Sequence, residues 1–485
     1  MNSVLRIFAA GIFVASPAIT ATCESLASLS MPGITVTSAG AVSSPVEFCR
    51  VKAVAKPVPD AGILIEIWLP TAASWNGKLL GTGNGGYSSS LGIPAMQAAV
   101  KNGYAVTGSD TGHSGGDLEF GQGHPEKIAD WAWRAIHVMT DTAKLTVRNY
   151  YGKFPQKAYF SGCSTGGQQA LSEAQRFPND YDGIVAGDPG NDRIHLNIGF
   201  LWSWVVTHDN GAEILPASKL PMITRAVVAR CDAVDRLKDG LIDDPRRCHF
   251  DPGTLLCKSG DNAECLTAPQ VAAVRKVYAG AVNPRTHKQI FPGWIPGSES
   301  GWGGYFVGHP EPARVDFWRL WLFGDLKWDP STFDFDHDVE WADAKLAETS
   351  ALNADLRPFR ANRGKLILYQ GWADPVVPPE DTLQYFDAMQ RAAGPGGTTD
   401  FARLFMVPGM GHCQGGPGPS IFDPLDALDA WVTKGTAPER IVAAHRTAGK
   451  VDRTRPLCPY PQVARRKGTG DIDDAASFAC VAPPR

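Results

Sequence analysis

What most constrains this chain is the alternation of short apolar runs with segments of helical period. Ala61–Pro70, carrying the alternating run ILIEIWLP, and Lys78–Gly81 read as strands that lead into the glycine-rich turn Gly83-Asn84-Gly85-Gly86. Met96–Asn102 reads as helix, Tyr104–Ser109 as a buried strand, Ile128–Tyr151 as a long amphipathic helix, Lys157–Ser161 as a strand, Gly166–Phe177 as a helix and Gly183–Ala186 as a strand. After a long interruption the pattern resumes with strand Gly364–Gly371, helix Leu383–Ala392, strand Ala402–Val407 and a helix at Pro424–Lys434. Such alternation predicts an α/β fold, a mostly parallel sheet with helices on both faces.

The interruption, residues 192–353, is rich in Trp, Pro and Cys with few clean strands, and reads as an inserted domain between two stretches of one core, 22–191 and 354–485. Its Trp202, Trp204, Trp294, Trp302, Trp318, Trp321 and Trp328 are enough to line an aromatic site and equally enough to be the segment's own core. A net charge of -4 with scattered Lys and Arg excludes a nucleic-acid surface and a polybasic membrane anchor, and suits a small uncharged or weakly anionic substrate. The sequence sets no oligomeric state.

Residues 1–21 read as a secretory signal peptide: Arg6, an apolar stretch from Ile7 to Ala15, then small residues around Ser16-Pro17-Ala18 and Thr20-Ala21. The apolar run is shorter than the ~20 residues a spanning helix needs. Export, to a periplasm or beyond the cell, places the ten cysteines in an oxidising compartment. Local pairs Cys23–Cys49, Cys231–Cys248, Cys257–Cys265 and Cys458–Cys480 are favoured and leave Cys163 and Cys413 over, although ten cysteines allow roughly 945 pairings and spacing alone fixes none.

Gly162-Cys163-Ser164-Thr165-Gly166 has the form of a nucleophile elbow, a tight strand-to-helix turn that exposes a serine. A near match at Gly112-His113-Ser114-Gly115-Gly116 runs into a Gly- and Asp-rich loop, whereas Ser164 lies between the strand-like KAYFS and the helical GQQALSEAQRF. An elbow serine needs a histidine base and a carboxylate to orient it, in the order serine, acid, histidine. Asp374, after the strand KLILYQG, and His412, after ARLFMV, meet that order at strand ends. Asp188, at the end of the strand after the elbow helix, is the alternative acid. The N–H of Thr165 and of Gly85 or Gly86 are candidates for an oxyanion hole, the two glycines also reading as a plain turn. If Ser164 and His412 meet, at roughly 2.6–3.2 Å, their neighbours Cys163 and Cys413 also come within range of a disulfide, whose Cα atoms lie about 4.4–6.8 Å apart.

Between Cys231 and Asp244 the acids Asp232, Asp235, Asp239, Asp243 and Asp244 crowd a short loop. Hard oxygen ligands at this density suit Ca²⁺, with carbonyls such as those of Leu237 and Leu241 completing a shell; a solvated acidic turn is the alternative.

Together these motifs resemble the tannase and feruloyl esterase family, including its terephthalate-monoester hydrolases. The resemblance runs through SWNGKLLGTGNGGY, SDTGH, GHPEKIADWAWRAIH, YFSGCSTGGQQALSEAQRFPNDYDGIVAGDP, CDAVDRLKDGLIDDP, FDFDHDV, YQGWADPVVPP and PGMGHC. It implies an α/β-hydrolase core with a large inserted lid domain, a catalytic set at Ser164, Asp374 and His412, a Cys163–Cys413 disulfide, and a Ca²⁺ site in the lid at Asp232, Asp235, Leu237, Asp239 and Leu241. Two departures stand out. Arg236 occupies a position where relatives often carry glycine, and Gly187-Asp188-Pro189-Gly190 replaces a commoner Ala-Pro-Ala. The implied function is a serine esterase acting on small aromatic esters of hydroxycinnamate or gallate type. The alternatives are hydrolysis of terephthalate monoesters or similar synthetic esters, and non-catalytic Ca²⁺-dependent binding of glycans or polyphenols.

Overall fold

A computed structural model of the chain describes residues 21–209 and 211–483. The expected signal peptide, apart from Ala21, lies outside the described residues. The strand-like runs all enter one nine-stranded sheet. In chain order its strands are β1 (Ile34–Val42), β2 (Phe48–Ala55), β3 (Ile63–Pro70), β4 (Lys78–Thr82), β5 (Ala105–Ser109), β6 (Lys157–Cys163), β7 (Gly183–Gly187), β8 (Lys365–Gly371) and β9 (Ala402–Val407). Across the sheet β3 is followed by β5, then β4, β6, β7, β8 and β9. The first three strands and β5 pair antiparallel. From β5 to β9 every pairing is parallel.

Parallel strands are buried on both faces, which is why β7 reads GIVAG with every residue buried. Neighbouring residues point to opposite sides. Phe160, Ile184 and Leu368 enter one core with Met139 and Leu171, while Tyr159, Val185 and Ile367 enter the other with Met96 and Trp431. Helices α1 (Ile93–Lys101), α2 (Ala135–Tyr151), α3 (Thr165–Arg176), α4 (Pro379–Ala393) and α5 (Pro424–Lys434) cover the two faces. This is the mostly parallel α/β sheet expected from the alternation, in the α/β-hydrolase architecture that the resemblance implies. No helix among the described residues is long and apolar enough to cross a membrane.

Several features differ from expectation. The helix expected over Ile128–Tyr151 starts at Pro125, passes through a π-helical turn at Asp130–Arg134 and becomes α-helical at Ala135. The wider turn brings Arg134 onto the buried Asp130, Nε to Oδ1 2.5 Å. Strands β1 and β2 extend the sheet beyond its parallel part. Past α5 the chain adds two further strand pairs, β10 (Ile441–Thr447) with β11 (Lys450–Leu457) and β12 (Val463–Arg466) with β13 (Phe478–Val481).

Between β7 and β8 no segment among the described residues joins the main sheet. Trp204, Trp294, Trp302, Trp318 and Trp321 are buried in an apolar cluster of this segment, with Trp202 and Trp328 on its margin. The tryptophans are therefore mainly core. The cluster touches the sheet-bearing part through Tyr87, Trp131, Val376 and Val377.

Candidate active site

Ser164 lies between β6 and α3 with φ 64° and ψ -119°, a conformation that a side chain adopts only under constraint. The flanking glycines make the turn possible. A Cβ on Gly162 would lie 2.6 Å from the carbonyl oxygen of Gly166, and one on Gly166 would lie 3.1 Å from that of Asn84. The turn is pinned by Ser164 N–H donating to the carbonyl of Gly187 at 2.9 Å.

The loops after β8 and β9 bring the other two residues together. His412 Nδ1 lies 2.8 Å from Asp374 Oδ2. Asp374 is fully buried; its Oδ1 accepts the N–H groups of Val376 and Val377 at 2.7 and 3.1 Å, and Gln370 Nε2 donates to Oδ2 at 3.0 Å. Four donors around one carboxylate fix its plane. An Nδ1–H held by Asp374 leaves Nε2 as the basic nitrogen. Among the described residues that Nε2 atom is buried with no hydrogen-bond partner, Ser164 included. Such bonds commonly tighten only once substrate is present.

Cys163 and Cys413 form a disulfide with Cα atoms 5.9 Å apart, tying the residue before the serine to the residue after the histidine. The remaining bonds are Cys23–Cys49, Cys231–Cys248, Cys257–Cys265 and Cys458–Cys480, the local pairs favoured from spacing. Asp188 does not bond the imidazole. Its carboxyl group instead accepts the backbone N–H groups of Gly371 and Cys413.

The turn that carries Gly85 and Gly86 packs on the elbow, since a Cβ on Gly83 would lie 2.6 Å from Gly166 Cα. Among the described residues the N–H groups of Gly85 and Gly86 meet no acceptor. Thr165 opens α3, so its N–H lacks an intrahelical acceptor and carries the positive end of the helix dipole. Sequence reasoning missed Arg193, which is buried and donates through Nη2 to Thr165 Oγ1 at 2.8 Å and through Nε to Gln168 Oε1 at 2.9 Å. Its guanidinium lies over the rings of Tyr87 and Trp131, and burial pushes its pKa down to about 10. Ser114 is exposed, and the adjacent His113 is held by Tyr87 O at 2.8 Å and stacks on Phe120, a structural arrangement. A hydroxyl on a strained turn, an imidazole held by a buried carboxylate and N–H donors without a partner among the described residues together equip the site for covalent attack on a carbonyl.

In the acidic loop, Arg236 has φ 76°, the left-handed conformation for which glycine is the usual choice. Asp232 Oδ1 accepts from the N–H groups of Asp239 and Gly240, Asp235 Oδ1 from Leu237, and Asp239 Oδ1 from Leu241. Asp239 Oδ2 also pairs with Arg455 of β11 at 2.5 Å, a contact no local motif announces. Asp243 is driven well above the ordinary carboxylate range by burial and by the charge of Asp235; Asp235 is itself raised by burial, with Asp239 adding to it. The loop has the hard oxygen donors that Ca²⁺ takes, but among the described residues no three of its carboxylates bring their oxygens within 4.8 Å of one another, and Asp239 is held by Arg455.

The sequence matches the family described as "Tannase and feruloyl esterase" over residues 49–481. An uncharacterised esterase of Xanthomonas campestris is 39% identical, the match covering 100% of this chain and 96% of that protein. The mono(2-hydroxyethyl) terephthalate hydrolase of Piscinibacter sakaiensis is 34% identical over 90% of this chain and 85% of its own. The crystal structure of feruloyl esterase B from Aspergillus oryzae superposes with a TM-score of 0.88 at 29% identity, over 95% of this chain and 99% of that one.

Proposed function

Because this chain belongs to the tannase and feruloyl esterase family and is a carboxylic ester hydrolase, we propose that it cleaves small aromatic esters, of hydroxycinnamate or gallate type, with Ser164 as nucleophile, His412 as base and Asp374 as the acid that orients it. The observation that carries this reading is the hydrogen bond of His412 to the buried Asp374 with Nε2 left free, on a loop covalently joined to the elbow of Ser164. His412 Nε2 takes the hydroxyl proton as Ser164 Oγ attacks the ester carbonyl. The developing oxyanion is met by the N–H of Thr165 and of Gly85 or Gly86, strengthened by the α3 dipole and the charge of Arg193. The imidazolium then gives its proton to the departing alcohol, and water, deprotonated by the same nitrogen, releases the acid from the acyl-enzyme.

The segment 192–353 acts as a lid over this site, and export through residues 1–21 delivers the enzyme to an oxidising space. The terephthalate-monoester reading shares all of this chemistry and is favoured by the likeness to the Piscinibacter enzyme. Comparing kcat/KM for methyl ferulate, methyl gallate and mono(2-hydroxyethyl) terephthalate decides between them. A highest value for ferulate or gallate is expected, and a highest value for the terephthalate overturns the choice. A fluorophosphonate that labels Ser164 excludes the non-catalytic binding reading.

Ca²⁺ is held structurally by the carboxylates of Asp232, Asp235 and Asp239 with the carbonyls of Leu237 and Leu241. At calcium about 100-fold above Kd the bound ion contributes about 2.7 kcal/mol. Chelation with EGTA is therefore expected to lower Tm by a few degrees, reversibly on adding calcium. A melt that ignores both additions removes the site.

Serine at both Cys163 and Cys413 opens a loop of 250 residues. The chain-entropy limit for such a loop is about 5 kcal/mol of stability, and a histidine loop free to drift loses about 10²-fold in kcat. Melts and steady-state kinetics of the double variant measure both. An unchanged kcat would mean that packing alone holds the loop.

A further inference from the structure

Asp188 takes no part in the proton transfers of that cycle, yet its buried carboxyl group reaches every segment on which the reacting residues stand. Oδ1 accepts the N–H of Gly371 at 2.8 Å, at the end of β8 and three residues before Asp374. Oδ2 accepts the N–H of Cys413 at 3.2 Å, next to His412, and lies 3.5 Å from Sγ of Cys163, next to Ser164. The residue is itself anchored by its N–H donating to the carbonyl of Tyr369 at 2.8 Å, with φ 36°, a backbone state that persists only where the surroundings impose it.

We infer that Asp188 is a positioning residue for ester hydrolysis: its carboxyl group bridges the end of β8 and the histidine loop, and so sets the angle and distance at which His412 meets Asp374 and Ser164. The inference rests on the hydrolase reading of the site. Asp374 and His412 face Asp188, and Tyr369 adjoins it from β8. Among the described residues no lysine or arginine pairs with it. Burial first, and the charge of Asp374 second, raise Asp188 well above the ordinary carboxylate range. The direction of that shift favours the protonated form of the Asp188 carboxyl group. A neutral carboxyl group still has lone pairs for both N–H donors and offers its own proton toward Asp374. The bridge thus works without adding a second negative charge beside the base.

Parent, D188N and D188A proteins are compared on p-nitrophenyl acetate, with kcat and KM taken separately over the pH range in which each stays folded. Thiol titration verifies that the Cys163–Cys413 bond is present. D188A is expected to lower kcat about 10²-fold with KM nearly unchanged. D188N, which keeps one acceptor and one donor, should restore kcat to within about tenfold of the parent. Its acidic limb of kcat/KM should lie where the parent's does, because a neutral group replaces a neutral group. The inference is overturned by a D188A protein with parental kcat, by a D188N protein no better than D188A, or by a D188N limb displaced about one pH unit or more. If D188A does not fold, the kcat and acidic limb of D188N decide by the same criteria. A parent inactive on every ester removes the hydrolase reading and this inference with it; a parent active on esters confines any failure to Asp188.

Discussion

Ser164→Ala is expected to lower kcat on any ester by a factor on the order of 10⁶, the loss seen when a single nucleophile is removed from a serine hydrolase. Residual turnover should remain about 10³- to 10⁴-fold above the uncatalysed rate, because the N–H donors and the binding cleft survive. Stability should hardly change. Ser164 Oγ makes no hydrogen bond among the described residues, and alanine must adopt the same φ of 64° under the same constraint. A melt matching the parent's therefore separates lost chemistry from lost folding, and a correctly folded S164A protein with parental activity would falsify the mechanism.

Asp374→Asn is expected to reduce kcat about 10⁴-fold. An amide cannot accept all four of the hydrogen bonds that now converge on the carboxylate from Val376, Val377, Gln370 and His412. If the amide oxygen keeps the two backbone donors, its NH₂ faces His412. The imidazole then presents a lone pair at Nδ1 and carries its proton on Nε2, where it cannot accept one from serine. KM should move little, since the pair acts on the transition state rather than on bound substrate. A loss of less than about tenfold would transfer the orienting role to Asp188.

Features of the sequence that depend on local periodicity were legible, and those that depend on distant partners were not. The strands from Ile63 to Val407 that enter the main sheet, and the helices around them, follow from runs of apolar residues that must be buried within that sheet. β1 escaped because its small residues Ser38, Ala39 and Gly40 give little alternation at a sheet edge. β2 does alternate, with Val51, Ala53 and Ala55 buried between half-buried neighbours, so that signal was present. Ser164, Asp374 and His412 each announce themselves through a turn at the end of a strand. Arg455 does not, because its partner Asp239 lies 216 residues away and only the folded chain brings them together. Arg193 and the bridging of Asp188 escaped for the same reason. The tryptophans of 192–353 show how composition signals aromatic burial without saying whether a ring faces ligand or core.

The pattern of disulfides imposes an order on the making of the enzyme. Cys23–Cys49, Cys231–Cys248, Cys257–Cys265 and Cys458–Cys480 each join cysteines that follow one another along the chain, so each can close once its second member has been made. Cys163 has to pass over four intervening cysteines and wait for Cys413, 250 residues later. An oxidant acting on the nascent chain would join it to Cys231 instead, and thiol–disulfide exchange would then have to undo the error. On the proposed mechanism, which needs His412 beside Ser164, catalytic competence is among the last properties the polypeptide acquires.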